Sequence, residues 1–237
     1  MPNHSCKRKE QRCSLGEYVI SIPSAVVEDV LAKLYDIADD KRVALRGRMK
    51  HFQRMGFPAR VNTGKGVPAR FTFNRLMQLV FAFELVQSGL DPSASMSVIA
   101  SHWPTMSPAC ARSMVHDLYV VADPKSYRTG DLLFAFYIDA LYPLQNGLFT
   151  EYYGVLEVFP KSAPASDLFD KLYVDADNLA SPWRVLVIDV SQLVYRASEA
   201  LIAVGFQASR RKLFDDLAAG ESEWEDPYLL EIAKDAF

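Results

Sequence analysis

The segment KRVALRGRMKHFQRMGFPARVNTGKGVPARFTFNRLMQLVFAF, from Lys41 to Phe83, contains ten Lys or Arg residues and no Asp or Glu. The whole protein has a net charge of −3, so this segment is strongly basic within a slightly acidic protein. Aromatic and aliphatic residues lie among the basic ones and supply enough apolar surface for the segment to fold. A basic segment that can also fold is typical of a nucleic-acid-binding face.

The composition is that of a soluble globular protein. Its 237 residues suffice for one large domain or two small ones, and 50% of them are hydrophobic and 23% charged. No apolar run is long enough for a membrane span, and the N-terminus lacks the pattern of a secretory signal. Cys6, Cys13 and Cys110 form neither an even disulfide framework nor a metal-binding pair. We therefore predict a cytoplasmic protein with reduced thiols, no membrane contact and no cofactor or metal.

The charge is divided unequally along the chain. Residues 1–130 carry 18 basic and 11 acidic side chains, a balance of +7, whereas residues 131–237 carry 8 and 18, a balance of −10. This asymmetry predicts two parts, of which the first faces a polyanion and the second does not.

Helical patterns fill the first part after a polar N-terminal arm. We expect Ser24 to cap a first amphipathic helix, and a second helix to run from about Lys41 to Met55 and end at Gly56. A basic loop follows, and Thr72 is expected to cap a third helix that ends near Ser88 and Gly89. A fourth helix is predicted from about Asp91 to Trp103 and Pro104. The buried side of the second helix is assigned to Val43, Leu45, Met49 and Phe52.

Patterns of β-structure begin in the second part. LLFAFYIDALYPL and TEYYGVLEVF flank Gln145-Asn146-Gly147, which is a hairpin turn signal. Trp183–Val190 has the composition of a buried strand, and Ser191 is expected to open a helix that ends near Gly205. The fold class predicted for the whole chain is α+β.

Two motifs within the basic segment resemble the DNA-binding domain of the MerR family. Arg48–Phe57 (RMKHFQRMGF) resembles that family's recognition helix and its exit, Thr-Leu-Arg-Tyr-Tyr-Glu followed by a variable pair and Gly-Leu. Arg70-Phe71-Thr72 and Leu76 resemble the Arg-Tyr-Thr and Leu that end the family's wing and begin its next helix. The resemblance covers about residues 25–103. It implies a winged helix-turn-helix, a sequence-specific DNA-binding dimer and a role in transcriptional regulation.

The basic residues of this segment are the candidate DNA-binding side chains. A helix can present several donors to the major groove, while a glycine-containing loop allows backbone and ammonium groups to approach phosphates. We expect no catalytic residues. The predicted DNA-binding residues are Arg42, Arg46, Arg48, Lys50, His51 and Arg54 on the helix and Arg60, Lys65 and Arg70 on the loop and its end.

These observations lead to a four-part division. Residues 1–23 are predicted to be a flexible N-terminal arm, 24–105 a helical winged helix-turn-helix domain, 106–130 a connector, and 131–237 a smaller α/β domain for dimerisation or regulation. The expected partners are double-stranded DNA and a second copy of the chain, with the acidic face of the second part open to a protein partner. The protein would then be associated with the nucleoid.

Two other functions remain open at this stage. The first is a protein-interaction adaptor that places its basic face on an acidic partner. The second is a metal-dependent nuclease that gathers carboxylates at strand ends, for which the candidates are Asp139, Glu151, Glu157 and Asp189. Gly64-Lys65-Gly66 lacks the Lys-Ser/Thr pair of a nucleotide-binding P-loop, so the same loop does not indicate a nucleotide site.

Overall fold

The structure, a computed structural model, describes residues 20–61, 66–122, 132–137, 155–160 and 185–219. Within these ranges the chain forms six α-helices and two small antiparallel sheets, so the predicted α+β class is confirmed. In chain order the elements are β1 (Ile22–Pro23), α1 (Ser24–Leu34), a 3-10 turn (Asp39–Lys41), α2 (Arg42–Arg54), β2 (Arg70–Phe71), α3 (Phe73–Gln87), α4 (Pro92–Ala122), β3 (Leu132–Tyr137), β4 (Val155–Pro160), β5 (Val185–Asp189), α5 (Val190–Ala203) and α6 (Arg210–Ala218).

Local signals place most of the helix ends. Gly56 follows α2 with a φ of 82°, a left-handed conformation that glycine adopts without a steric penalty. The Thr72 hydroxyl accepts a hydrogen bond from the Arg75 N–H at 3.2 Å, which confirms the predicted cap of α3. The predicted cap of α1 is wrong, because Ser24 is already helical. Pro23 holds the N-cap position with an extended backbone, since it pairs with Arg70 in the β1–β2 sheet.

Helix α4 is longer than the sequence predicts. The sequence predicts an end at Trp103 and Pro104, but the helix continues to Ala122 with both Pro104 and Pro108 inside it. A proline in a helix interior removes a hydrogen bond and crowds the preceding turn at a cost of about 3 kcal/mol. Pro104 is exposed and Pro108 half-buried, while Met106 and Cys110 are fully buried. Burial on the inner side offsets the local penalty, so the helix extends into the region 106–130 predicted as a connector.

The larger sheet has the order β4-β3-β5, with β3 antiparallel to both neighbours. The antiparallel pairing of β3 with β4 confirms the predicted partnership of these two segments, whereas the turn 145–147 lies outside the described residues. Strand β5 was predicted to be buried. It lies instead at an edge of the described sheet, with Val185 36% and Val187 42% exposed, because it has a strand neighbour on one side only.

Helices from both halves of the sequence contribute to one hydrophobic core. Helices α5 and α6 pack against α1, α3 and α4, and the Phe81 ring lies 5.5 Å from the Phe134 ring of β3. A polar contact reinforces the packing, since the Arg196 guanidinium donates to the Leu34 carbonyl at 3.1 Å. The described elements on either side of the predicted connector therefore share a core, and the division into separate domains stays a prediction.

A buried polar network joins α3, α4 and α6. The side-chain oxygen of Asn74 accepts from Trp103 Nε1 at 2.9 Å, and its amide nitrogen donates to the Ser107 hydroxyl at 3.0 Å. Ser107 in turn donates to the Leu217 carbonyl at 2.6 Å. The Asp216 carboxylate accepts from the Asn74 backbone N–H at 2.7 Å, and burial raises its pKa above the ordinary range. The first turn of α3 is thus bound to α6.

Several predicted features lie outside the described residues. They include most of the N-terminal arm, although its end forms β1 with Ile22 fully buried. Lys65 and residues 220–237 are also outside the described ranges. Among the helices that the structure describes, none has the length and apolar character needed to cross a membrane.

Candidate nucleic-acid interface

Helix α2 is attached to the core by one face. Leu45, Met49 and Phe52 recur at the spacing of a helical stripe and are at most 5% exposed. The Phe52 ring centroid lies 5.5 Å from that of Phe83 on α3 and 5.7 Å from that of Phe57 just beyond α2. These contacts fix the rotation of α2 about its axis and direct the opposite face to solvent.

The opposite face carries Val43, Gly47, Lys50 and Arg54, whose spacing of four, three and four residues places them along one line, with His51 beside it. All five are exposed, and we call them the outer face of α2. The assignment of Val43 to the buried side is wrong, because its side chain is 75% exposed. Successive helical residues turn by about 100°, so a residue two positions before Leu45 points about 160° away from it.

Two of the predicted DNA-binding arginines bind α1 instead of facing solvent freely. Arg46 donates to both carboxylate oxygens of Glu28, at 2.7 and 2.8 Å, in a bidentate ion pair. Arg42 donates to Asp29 at 2.9 Å, and its side chain is 29% exposed. These pairs fix the position of α2 relative to α1. Glu28 and Asp29 are separated from their partners by 18 and 13 residues respectively, and no local pattern in the sequence singles them out.

The environment of Glu28 favours its charged form. The hydrogen bonds from Arg46 lower the pKa of this carboxyl against the opposing effect of burial, and the charges of Arg42 and Lys50 lower it further. Because its pKa is lowered in the folded state, ionised Glu28 stabilises the fold at pH values above its ordinary pKa. This stabilisation is lost as the pH falls through the pKa of the folded state.

We expect Glu28→Gln to lower the free energy of unfolding at neutral pH, because the neutral amide keeps the shape of the side chain but loses the ion pair. The deficit relative to the wild type should shrink as the pH falls below the ordinary pKa of glutamate. Urea denaturation at a series of pH values measures it. Glu28→Gln should have little further effect in an Arg46→Met background, and an equal loss in both backgrounds would contradict the role of this pair.

The remaining basic side chains of α2 are differently placed. Arg48, Lys50, His51 and Arg54 are exposed, and their side chains form no hydrogen bond or ion pair within the described part of the chain. Lys50, His51 and Arg54 belong to the outer face, while Arg48 lies on the flank of the helix. The structure therefore brings three of the predicted residues together on the outer face of α2, and it places Arg48 apart from them.

The loop after α2 is anchored at both ends. Phe57 and Val61 are 4% and 1% exposed, so the start of the loop packs on the core. At its other end, β2 pairs with β1 in the register Ile22↔Phe71. Arg60 has a φ of 61° and is exposed, as is Arg70. The loop thus leaves the end of α2 and returns beside the start of α1, with basic residues at both of its described ends.

The N-terminal end of α2 is close to neutral. Asp39 and Asp40 lie in the 3-10 turn before the helix, where their negative charges interact favourably with the positive end of the helix dipole. Lys41 lies 2.9 Å from Asp40, and Arg42 lies 3.8 Å from Asp39. The positive field of α2 is therefore strongest toward Arg54.

The carboxylates proposed for a metal site are only partly within the described ranges. Asp189 accepts a hydrogen bond from the Gln192 N–H at 3.0 Å and caps α5, a role assigned to Ser191 in the sequence prediction. Asp139 and Glu151 lie outside the described residues. Within the described ranges, no group of three His, Cys, Asp or Glu side chains is arranged to hold a metal ion.

Comparison with protein-family models, with curated proteins and with solved structures found no match to this chain. The MerR-like character of residues 25–103 therefore stays a prediction that rests on the residues themselves.

Proposed function

We propose that the protein is a sequence-specific DNA-binding transcriptional regulator with a MerR-like winged helix-turn-helix within residues 24–105. The observation that carries this function is the arrangement of Lys50, His51 and Arg54. They are exposed on a helix whose opposite face is buried, and they lack ion-pair partners in the described chain. Unpaired positive charge on a rigid helix is suited to the phosphates and base edges of a duplex.

The contacts made by α2 divide the predicted residues into two roles. Arg42 and Arg46 bind carboxylates of α1, and we assign them to holding α2 in position. We assign to DNA the side chain of His51 and the six cations Arg48, Lys50, Arg54, Arg60, Lys65 and Arg70. In a helix-turn-helix the second helix enters the major groove while the first lies across the backbone. Helix α2 would enter the major groove and helix α1 would lie across the backbone. The loop 56–69 would contact the phosphates beside the groove.

The second half of the chain is assigned to pairing and regulation. Its balance of −10 charges disfavours contact with DNA and leaves this half available for a protein partner or a signal. Two copies related by a two-fold axis would present two α2 helices to successive major grooves about 34 Å apart. A near-palindromic operator and a nucleoid location follow from this arrangement.

The function is tested by titrating the protein with random-sequence duplex DNA at several salt concentrations. Six cations on phosphates predict a log–log slope of about −5, which is about a thousandfold loss of affinity between about 50 and 200 mM salt. Fluorescence anisotropy of a labelled duplex measures both the slope and the affinity. Absence of binding at about 50 mM salt, or binding that salt does not weaken, would exclude the DNA-binding function.

The same face would bind an acidic protein if the chain were an adaptor. In that case partners captured from a lysate on the immobilised protein would remain after nuclease treatment, and purified duplex DNA would not bind. Retention of DNA by the purified protein separates the two functions.

A further inference from the structure

Gly47 lies in the middle of α2 and has no evident reason to be glycine within the described fold. Its backbone is helical, and a Cβ built at this position would meet no atom within 4 Å. An exposed glycine in a helix interior is less favourable than alanine, because it loses more backbone freedom on folding. The sequence therefore accepts a weaker helix at a place where packing within the described chain does not require a missing side chain.

Val43, one turn before Gly47 on the same line, is also unusual. Its side chain is the most exposed of the large hydrophobic residues that the structure describes, and valine is a poorer helix former than alanine. Beyond Gly47 the same line continues with Lys50 and Arg54. A shallow depression of about 480 Å³ lies at this part of the helix, lined by Gly47, Lys50, Gln53 and Arg54. The outer face thus has an uncharged first half and a positively charged second half.

We propose, on the basis of the DNA-binding function above, that Val43 and Gly47 determine specificity by reading a thymine in the major groove. The missing side chain of Gly47 lets the backbone of α2 approach the base edges closely. Val43 then places its methyl groups against the C5-methyl of thymine, the apolar group that base pairs present in this groove. Lys50 and Arg54 lie on the same line and bind phosphates or guanine edges.

Charge and shape together select this occupant. A protein surface that buried Val43 would have to supply carboxylates opposite Lys50 and Arg54 within two helical turns. A DNA duplex presents phosphates regularly beside each groove. One groove can therefore offer base edges to the uncharged half of the outer face and phosphates to its charged half.

The test begins with a duplex selected from a random-sequence library by its binding to the full-length protein. Each thymine of this duplex is replaced in turn by deoxyuridine, which keeps the base pairing and removes only the methyl group. We expect one position, or its symmetry-related pair, to show about a fourfold loss of affinity per methyl contact. Val43→Ala should weaken binding to the selected duplex and abolish the effect of deoxyuridine at that position.

Gly47→Ala tests the close approach independently. We expect it to raise the melting temperature through better helix propensity and to lower affinity for the selected duplex by about tenfold through steric crowding. Ala44→Ser, an exposed substitution outside the line, should leave affinity unchanged. DNA binding that is indifferent to deoxyuridine, to Val43→Ala or to Gly47→Ala would overturn this inference alone. Absence of any duplex binding by the wild type would overturn the DNA-binding function with it.

Discussion

Replacing Lys50 and Arg54 by glutamine is expected to weaken duplex binding about a hundredfold at about 50 mM salt, since each lost phosphate contact costs about tenfold there. Both residues lie on the outer face and form no ion pair within the described chain. The log–log salt slope should become less steep by about two, because two fewer counterions are released. Anisotropy titrations of the double variant and the wild type measure both quantities.

The design separates lost binding from lost folding. Lys50 and Arg54 are like charges four residues apart, a pair that slightly destabilises a helix, so their removal should not unfold α2. Arg211→Gln with Lys212→Gln removes the same charge from α6 in the other half of the chain. This control should keep the affinity and slope of the wild type. Equal losses in the two double variants would show that overall charge, rather than α2, controls binding.

Asn74→Leu is expected to lower the free energy of unfolding by about 3 kcal/mol. Leucine has nearly the same shape but cannot accept the hydrogen bond from Trp103 Nε1 or donate to the Ser107 hydroxyl. Asn74 is 9% and Trp103 8% exposed, so the indole N–H would be left unpaired away from water. A buried polar group without a hydrogen-bond partner destabilises the fold by about 1–3 kcal/mol, and the losses of several bonds in one network add together. Urea denaturation at neutral pH provides the measurement.

Gln78→Leu is the matched control for this network. Gln78 donates to the same Asn74 oxygen at 3.0 Å, but it is only partly buried and leaves that oxygen with its bond from Trp103. Its replacement should cost less than about 1 kcal/mol. A loss of similar size for both variants, or a loss below about 1 kcal/mol for Asn74→Leu, would contradict the central role of Asn74.

Prediction from the sequence succeeded where a structure depends on a few neighbouring residues. The cap at Thr72 and the left-handed glycines Gly56 and Gly205 mark the ends of helices, since a hydroxyl or a missing Cβ acts within one turn. The stripe of Leu45, Met49 and Phe52 predicts the buried side of α2 because the helical period determines which side chains share a face. Val43 is apolar, but its position in that period places it on the exposed side, so the prediction that it is buried is wrong.

The tertiary structure decided which distant groups meet. Glu28 lies 18 residues from Arg46, and Asn74 lies 142 residues from Asp216, so neither pairing follows from a local pattern. Burial of Met106 and Cys110 carries α4 through two prolines against their local preference. The sequence by itself determined the α+β class, the position of α2 and the concentration of positive charge on it. Only the packing of α1 against α2 determined that Arg42 and Arg46 bind carboxylates. The other basic residues of the helix, Arg48, Lys50, His51 and Arg54, face solvent. A side chain's partners depend on where folding places residues that are far apart in the chain.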